Sequence, residues 1–326
     1  MGIHQFLKFE PILKEKIWGG NKLMTILNKK STQHNIGESW EISDVDNSKS
    51  VVAEGSLKGT SLSSLISKYK GDLVGQKVYA SYKNTFPLLI KFIDAKEALS
   101  IQLHPNDKLA EKRHNSFGKT EMWYVMQADE NANLIVGFNK QISKTEYVQH
   151  VENKSLIDIL NVDKVHAGDV YFIPTGRIHA IGAGVMLAEI QQTSDVTYRV
   201  YDWDRPNPDG TFRELHTKEA IDALDYEVNK SYKTTYQKKN NGSAEIISCP
   251  YFTTNVLQVT SKQLINHTNK DSFVIYMCVK GNASFEYENQ TESLAFGETL
   301  LVPACVKQFI ISSEGDTELL EVFIQD

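Results

Sequence analysis

Four side chains that could bind a metal ion occur in three separate segments. The stretch "LSIQLHPND" (99–107) alternates like a β-strand and places Gln102 and His104 two residues apart, so both side chains leave the same face. Glu121 opens the apolar segment "EMWYVM", and His179 closes "PTGRIH". A nitrogen and an oxygen ligand on one strand face indicate a metal ion held against a sheet. A single histidine is more often a packing or surface residue, so the hypothesis depends on the set.

The segments around these residues read mainly as short strands. They are rich in β-branched and aromatic residues and are bounded by Gly, Asn, Asp or Pro, which predicts a mainly β protein. Few segments have helical character. The helices expected are 61–75, 107–114 with Asn106 or Asp107 as N-cap, 143–161 and 217–226.

An internal repeat indicates two similar units. "GDVYFIPTGRIH" (168–179) matches "GETLLVPACVKQ" (297–308), with Gln308 at the position of His179. Upstream, "FVIYMC" aligns with "EMWYVM", which places Phe273 opposite Glu121. The ligand candidates are therefore expected in the first unit alone. A polar stretch at 228–245 places the boundary between units at 1–240 and 241–326.

Composition narrows the classes of function. The net charge of −6 over 326 residues, without a long basic run, argues against nucleic-acid binding. No run of 18 apolar residues and no signal-peptide core occurs, which predicts a cytoplasmic protein without membrane attachment. Three cysteines, Cys249, Cys278 and Cys305, lack metal-like spacing and are expected to be reduced packing residues.

The first copy of the repeat, G-x5-P-x-G-x2-H, resembles the second signature motif of the cupin superfamily. The other cupin motif usually supplies two close ligands and then a Glu; Gln102 stands here where His is commoner. The resemblance implies two cupin-type double-stranded β-barrels (jelly-roll), with short helical insertions in the N-terminal part. The second barrel is expected to lack metal ligands and to pack against the first.

Six segments together resemble type I mannose-6-phosphate isomerase (phosphomannose isomerase) in its short bacterial form. The resemblance covers about residues 8 to 215, and the second barrel matches the family's C-terminal domain. The segments are "IWGG" (17–20), "IGESWEIS" (36–43), "LSIQLHP" (99–105), "KTEMWYV" (119–125), "PTGRIHAI" (174–181) and "QQTSDVTYRVYDWDR" (191–205).

The resemblance implies a zinc enzyme that interconverts mannose 6-phosphate and fructose 6-phosphate through an enediol. Matched residue by residue, one Zn²⁺ per chain is held by Gln102, His104, Glu121 and His179. Arg199 matches the active-site arginine and Lys119 a lysine proposed to move the proton. Positions that the family associates with phosphate are Lys91, Ser100 and Lys108. Longer members carry a His before that lysine, where this chain has Gly118.

These residue types suit the chemistry that the resemblance implies. The oxyanions of an enediol need fixed positive charge, which Zn²⁺ and a permanently charged Arg199 provide. A lysine among cations favours its neutral form, so Lys119 could act as a base. Two plainer interpretations stay open: Lys119 as a solvated rim cation, and Arg199 paired with Asp202 or Asp204. Glu41 and Glu189 could contact sugar hydroxyls or Lys119.

Two rival functions are weighed against the isomerase. An iron cupin dioxygenase would favour three His with a Glu and an apolar pocket, and Gln102 with the Arg and Lys complement argues against it. A non-catalytic sugar-phosphate-binding cupin would keep the pocket without turnover, and Gly118 keeps this rival open. The expected partner is a small sugar phosphate, and the oligomeric state, monomer or homodimer, is left undecided.

Overall fold

A computed structural model describes residues 2–325, most of whose regular structure is β-strand. The strands up to residue 240 are β1 (Ile12–Gly20), β2 (Ile36–Ile42), β3 (Asp44–Val45), β4 (Ser48–Lys49), β5 (Leu88–Ala95), β6 (Ile101–Leu103), β7 (Glu121–Ala128), β8 (Asn133–Phe138), β9 (Leu160–Lys164), β10 (Val170–Ile173), β11 (His179–Ile181), β12 (Val185–Gln192) and β13 (Tyr198–Tyr201). The later strands are β14 (Ser243–Ser248), β15 (Thr253–Val259), β16 (Gln263–Asn266), β17 (Val274–Lys280), β18 (Asn282–Tyr287), β19 (Gln290–Ala295), β20 (Thr299–Val302), β21 (Gln308–Ser312) and β22 (Thr317–Phe323).

The helices are short and lie in the N-terminal part. They are α1 (Lys22–Thr25), α2 (Leu62–Tyr69), α3 (Gly71–Val74), α4 (Gln76–Tyr82), α5 (Asp107–His114), α6 (Lys144–Glu152), the 3₁₀ helix η1 (Leu156–Ile159) and α7 (Thr217–Ala223). Within residues 2–325, no helix is long and apolar enough to cross a membrane.

Two antiparallel sheets face each other in the first unit. One has the strand order β1-β2-β5-β12-β7-β10 and the other β13-β6-β11-β8-β9. Their inner faces share one apolar core, to which Trp123 and Leu187 contribute from the first sheet and Val136 and Ile181 from the second. Alternation along each strand therefore sends one set of side chains into this interior and the other set outward.

The second unit repeats this architecture with fewer strands. Its sheets have the orders β14-β15-β22-β17-β20 and β16-β21-β18-β19, and they enclose a core that includes Tyr276, Phe285 and Leu319. The mainly β class and the pair of facing-sheet units predicted from the sequence are confirmed. Cys278 is buried in this core, and none of the three cysteines forms a disulfide.

The two units pack against each other through a continuous apolar core. Phe92 and Met122 from the outer face of the six-stranded sheet belong to the same cluster as Met277 and Leu320 of the second unit. The second barrel therefore packs on the first by burying apolar sheet faces, which stabilises both.

The N-terminal segment packs within the second unit. Leu7 exchanges two backbone hydrogen bonds with Leu301, at 2.9 and 2.8 Å. The ring of Phe6 lies edge-on to Phe285 and Phe309, at centroid distances of 5.9 and 5.5 Å. The boundary between 240 and 241 stays a prediction, but the second barrel includes residues from the start of the chain.

Several helix predictions need correction. The helix expected at 61–75 is divided into α2 and α3, because Lys70 has a φ of 48°, and it ends before Gly75, whose φ of 98° separates α3 from α4. The helix expected at 143–161 ends at Glu152, and η1 and β9 follow it. The helix at 107–114 is confirmed, with the side chain of Asn106 accepting from the Leu109 amide.

Strand pairing shifts the upstream part of the repeat alignment, at Glu121, by one residue. Tyr171, three residues before Pro174, pairs with Trp123, and Leu300, three before Pro303, pairs with Tyr276. Val274 therefore corresponds to Glu121, and the alignment with Phe273 was wrong. Phe273 instead packs between the units, with its ring 4.6 Å from that of Phe86.

Replacing Phe6 tests the role of the N-terminal segment. Phe6→Ala is expected to lower the free energy of unfolding by about 3–5 kcal/mol, because it leaves a cavity among aromatic rings. Leu264→Ala is the control, since Leu264 is 67% exposed, and it should change stability by no more than about 0.5 kcal/mol. Denaturant titration measures both variants; equal stabilities would show that the segment does not complete the second barrel.

Candidate active site

His104, Glu121 and His179 converge inside the first barrel. They come from the end of β6, the start of β7 and the start of β11, and their side chains are almost fully buried. Their ligand atoms all lie within 4.8 Å of one another, the only such cluster of His, Cys, Asp and Glu within residues 2–325. Nε2 of His104 and of His179 lie 3.4 and 3.5 Å from the Glu121 carboxylate.

Backbone carbonyls orient the two imidazoles. Nδ1 of His104 lies 2.9 Å from the Val196 carbonyl oxygen, and Nδ1 of His179 lies 2.8 Å from that of Arg177. Each Nδ1–H then donates to its carbonyl, so that each Nε2 lone pair faces Glu121. Histidines that bind metals usually donate their other ring N–H in this way, which fixes the tautomer and the ring orientation.

Three buried polar atoms of this cluster lack hydrogen-bond partners. Neither oxygen of Glu121 nor Nε2 of His179 makes a hydrogen bond. Lys119 is close enough to Glu121 for an ion pair, but its geometry does not satisfy the carboxylate. Unpaired buried polar groups are costly, and a divalent cation would satisfy all three atoms. The residues therefore fit a metal ion.

Electrostatics favours the protonation states that bind metal. Burial opposes ionisation of Glu121, but Lys119, His104 and His179 outweigh it and hold the pKa of its carboxyl well below the usual value. Burial, with Lys119 nearby, lowers the pKa of His104 to about 4, and burial also lowers the pKa of His179. At neutral pH the carboxylate is charged and both imidazoles are neutral.

Gln102 lies in register with the predicted site residues of the neighbouring strands. It pairs with His179 of β11 on one side and with Arg199 of β13 on the other. Residues directly opposite each other in a sheet share a face, so these three side chains leave the same face of the five-stranded sheet.

Arg199 forms no ion pair with Asp202 or Asp204, the partners considered from the sequence. Its Nε donates to Ser100 Oγ at 3.3 Å and its Nη1 to the Glu214 carbonyl at 2.9 Å. Asp202 instead accepts from Arg205 and Arg213. Burial and then Arg213 lower the pKa of Arg199.

The three lysines proposed from the sequence occupy different environments. Nζ of Lys119 is buried, 3.1 Å from Glu121 Oε2 and 3.2 Å from His104 Nε2, so Lys119 is not a solvated rim cation. Lys91 is also buried and donates to Glu189 at 2.9 Å and to Gln191 at 2.6 Å. Lys108 is exposed on α5.

Sequence reasoning named Glu41 but missed Glu38 of the same strand. Glu41 forms an ion pair with Lys29 at 2.8 Å. Glu38 accepts from Trp40 Nε1 at 2.7 Å, and Lys91 and Lys16 lower the pKa of its carboxyl against the opposing effect of burial. Glu38 and Trp40 are two residues apart on one strand, so they share a face, and Trp40 pairs with the inward-facing Lys91. This spacing was the signal that could have identified Glu38 as inward-facing.

Comparison with known proteins agrees with this geometry. The model of the type I phosphomannose isomerase catalytic domain matches residues 6–136, and that of the mannose-6-phosphate isomerase cupin domain matches 243–323. A mannose-6-phosphate isomerase from Streptococcus mutans is 34% identical over 94% of this chain and 95% of its own length. The chain belongs to the type I phosphomannose isomerase family.

Two further comparisons with phosphomannose isomerases cover nearly the whole chain and so include both units. ManA of Bacillus subtilis, a mannose-6-phosphate isomerase, is 32% identical over 96% of this chain and 97% of its own length. The crystal structure of the mannose 6-phosphate isomerase from Bacillus subtilis, 31% identical, superposes with a TM-score of 0.87 over 98% of this chain and 99% of that one. The predicted family, its cupin fold and its assignment to the isomerases are confirmed.

Exchange of one buried glutamate tests the metal cluster. Glu121→Gln should lower affinity for Zn²⁺ by about 100-fold or more, because it removes the anionic ligand. Glu189→Gln is the matched control, since the Glu189 oxygens are already occupied by Lys91 and Trp123 at 2.9 and 2.8 Å. Competition with a chromophoric chelator measures both affinities. Equal affinities of the two variants would contradict the assignment of Glu121.

Proposed function

We propose that this chain is a zinc-dependent isomerase that interconverts mannose 6-phosphate and fructose 6-phosphate through an enediol. Its relatives in Streptococcus mutans and Bacillus subtilis are mannose-6-phosphate isomerases, which suggests the substrate, and membership of the family supports the reaction class. One observation supports the metal: a buried cluster of two imidazoles and a carboxylate in which both Glu121 oxygens and Nε2 of His179 lack hydrogen bonds.

We infer that one Zn²⁺ per chain is held by Gln102, His104, Glu121 and His179. Neutral imidazoles and a carboxylate without thiolate suit zinc, and with four protein ligands the substrate would enter as a fifth ligand. When bound, the ion supplies Lewis acidity that polarises the oxygens at carbons 1 and 2 of the sugar.

Proton transfer between the two carbons is assigned to Lys119. Its Nζ is the buried amine closest to the ligand atoms, 3.1 Å from Glu121 and 3.2 Å from His104. As a neutral amine it would take the proton from carbon 2 of the aldose and return it to carbon 1. The proton of the 2-hydroxyl passes to the oxygen on carbon 1, so the ketose forms without gain or loss of atoms.

Positive charge for the enediol comes from Arg199. Its guanidinium is half-buried and is held by Ser100 and the Glu214 carbonyl, so it is fixed before substrate arrives. A fixed cation stabilises a developing oxyanion without reorganisation during the reaction.

Lys91, Ser100 and Lys108 are proposed as phosphate contacts, with Lys108 at the exposed rim. We further propose a cytoplasmic location, which suits three unpaired cysteines.

Removal and return of zinc test the proposed function. Chelator-treated protein should lose mannose 6-phosphate conversion in a coupled assay, and one equivalent of Zn²⁺ should restore it, while circular dichroism confirms folding throughout. A folded, zinc-loaded protein that binds the sugar phosphate without converting it would favour the non-catalytic binding module.

Replacement of Arg199 tests its role separately from the metal. Arg199→Ala should lower kcat by about 100-fold or more while zinc stays near one per chain, because a fixed charge at the oxyanion is lost. Arg205→Lys is the control, since Arg205 pairs with Asp202 and Glu97 and should keep kcat within about twofold. Loss of zinc with the Arg199 side chain would refute the assignment.

A further inference from the structure

One carboxylate, that of Asp107, joins several parts of the loop between the proposed ligands His104 and Glu121. Asp107 is the first residue of α5. Its Oδ1 accepts from the Gly118 amide at 2.8 Å and from Gln192 Nε2 at 3.0 Å, and its Oδ2 accepts from the Tyr251 hydroxyl at 2.6 Å. Tyr251 follows Asp107 by 144 residues. The second unit therefore contacts the loop that carries Lys119.

Three successive backbone amides around Lys119 are fixed by this arrangement. The Gly118 amide donates to Asp107, and the Lys119 amide donates to the Pro105 carbonyl at 3.4 Å. The Thr120 amide donates to Gln192 Oε1 at 2.9 Å, and the Gln192 amide returns a bond to the Thr120 carbonyl at 3.1 Å. Because Gln192 also donates to Asp107, both sides of Lys119 depend on one connected network.

Gly118 is needed for this network to close. A Cβ placed there would lie 2.7 Å from the Asp107 amide nitrogen and 2.9 Å from the Asn106 carbonyl carbon. Both contacts are with backbone atoms, which cannot move away as a flexible side-chain end can. The glycine thus lets residues 106–107 pack directly against the backbone that precedes Lys119.

We propose that Tyr251 of the second barrel is a positioning residue for the amine of Lys119, acting through Asp107. This inference depends on the proposed role of Lys119 in proton transfer. A hydroxyl bonded to a carboxylate makes a strong, directional contact, and it fixes the carboxylate that in turn fixes Gly118. Reacting groups must be held to a fraction of an ångström, so a looser loop would misplace Nζ without removing it. The second barrel would then contribute to turnover while providing none of the proposed metal ligands.

Tyr251→Phe tests the proposal in the zinc-loaded full chain. We expect kcat to fall roughly tenfold with KM within about twofold, because orientation rather than substrate contact is lost. Zinc content should stay the same. Hydrogen exchange at the Gly118 and Thr120 amides should become faster by about fivefold or more, since their acceptors are less firmly held.

Tyr124→Phe is the matched control. Tyr124 also joins the two units by one hydroxyl–carboxylate bond, to Glu318 at 2.9 Å, but it does not contact the loop. It should leave kcat and the exchange of residues 118–120 unchanged. Equal losses in the two variants would show that Tyr251 acts only by joining the barrels, which overturns the proposal.

Variants at Asp107 separate positioning from folding. Asp107→Asn can still accept from Gly118 and Gln192 while its amide donates to the Tyr251 oxygen, so kcat should stay within about threefold of the parent. Asp107→Ala should lower kcat and speed the exchange as Tyr251→Phe does. Unchanged kcat in both Tyr251→Phe and Asp107→Ala, or lower kcat without faster exchange, overturns the proposal. An inactive parent protein whose amides still respond as expected would instead refute the role of Lys119.

Discussion

A buried carboxylate and two imidazoles face one another, both Glu121 oxygens and Nε2 of His179 lack hydrogen bonds, and the rest of the site depends on this constraint. Burial of these unpaired atoms costs free energy. A divalent cation would remove that cost, and the carbonyl contacts at both Nδ1 atoms already select the tautomers it requires. Lys119, Gln102 and Arg199 are arranged around this cluster.

Comparison with the second barrel shows which buried polar groups of the first barrel are common to both. In the first barrel, Glu189 pairs across the sheet with Lys91 and Trp123 and accepts hydrogen bonds from both. In the second, Glu321 pairs with Asn255 and Tyr276 and accepts from both, at 2.8 and 3.0 Å. His267 and Lys270 further help to hold the pKa of Glu321 well below its usual value, against burial.

A buried glutamate held between two cross-strand donors is therefore common to both barrels. The ligand positions differ: Val274 and Gln308 stand where the first barrel has Glu121 and His179. The duplicated glutamate belongs to the shared framework, whereas the metal cluster is specific to the first unit among the described residues. A symmetric framework with one chemical site fits a chain in which the second unit has become a support for the first.

Sequence patterns predicted the parts that depend on local periodicity. The two-residue spacing of Gln102 and His104 predicted a shared strand face, the repeated Gly-to-Pro segment predicted two similar units, and the resemblance to cupins implied that these units are barrels. Tertiary packing decided the rest. The helix predicted at 143–161 ends at Glu152, two residues before Lys154 takes a φ of 55°, and Phe273 packs on Phe86 rather than at the position of Glu121. The bond from Tyr251 to Asp107 joins residues with no local pattern in common.

X-ray absorption at the zinc K edge of the freshly purified, fully folded protein tests the metal centre most directly. The account predicts a first shell of nitrogen and oxygen alone at about 2.0–2.2 Å, with the outer-shell scattering of two imidazoles. A sulfur shell at about 2.3 Å would place the zinc on a cysteine. That result, or a spectrum without imidazole scattering, would contradict a centre built from His104, Glu121 and His179.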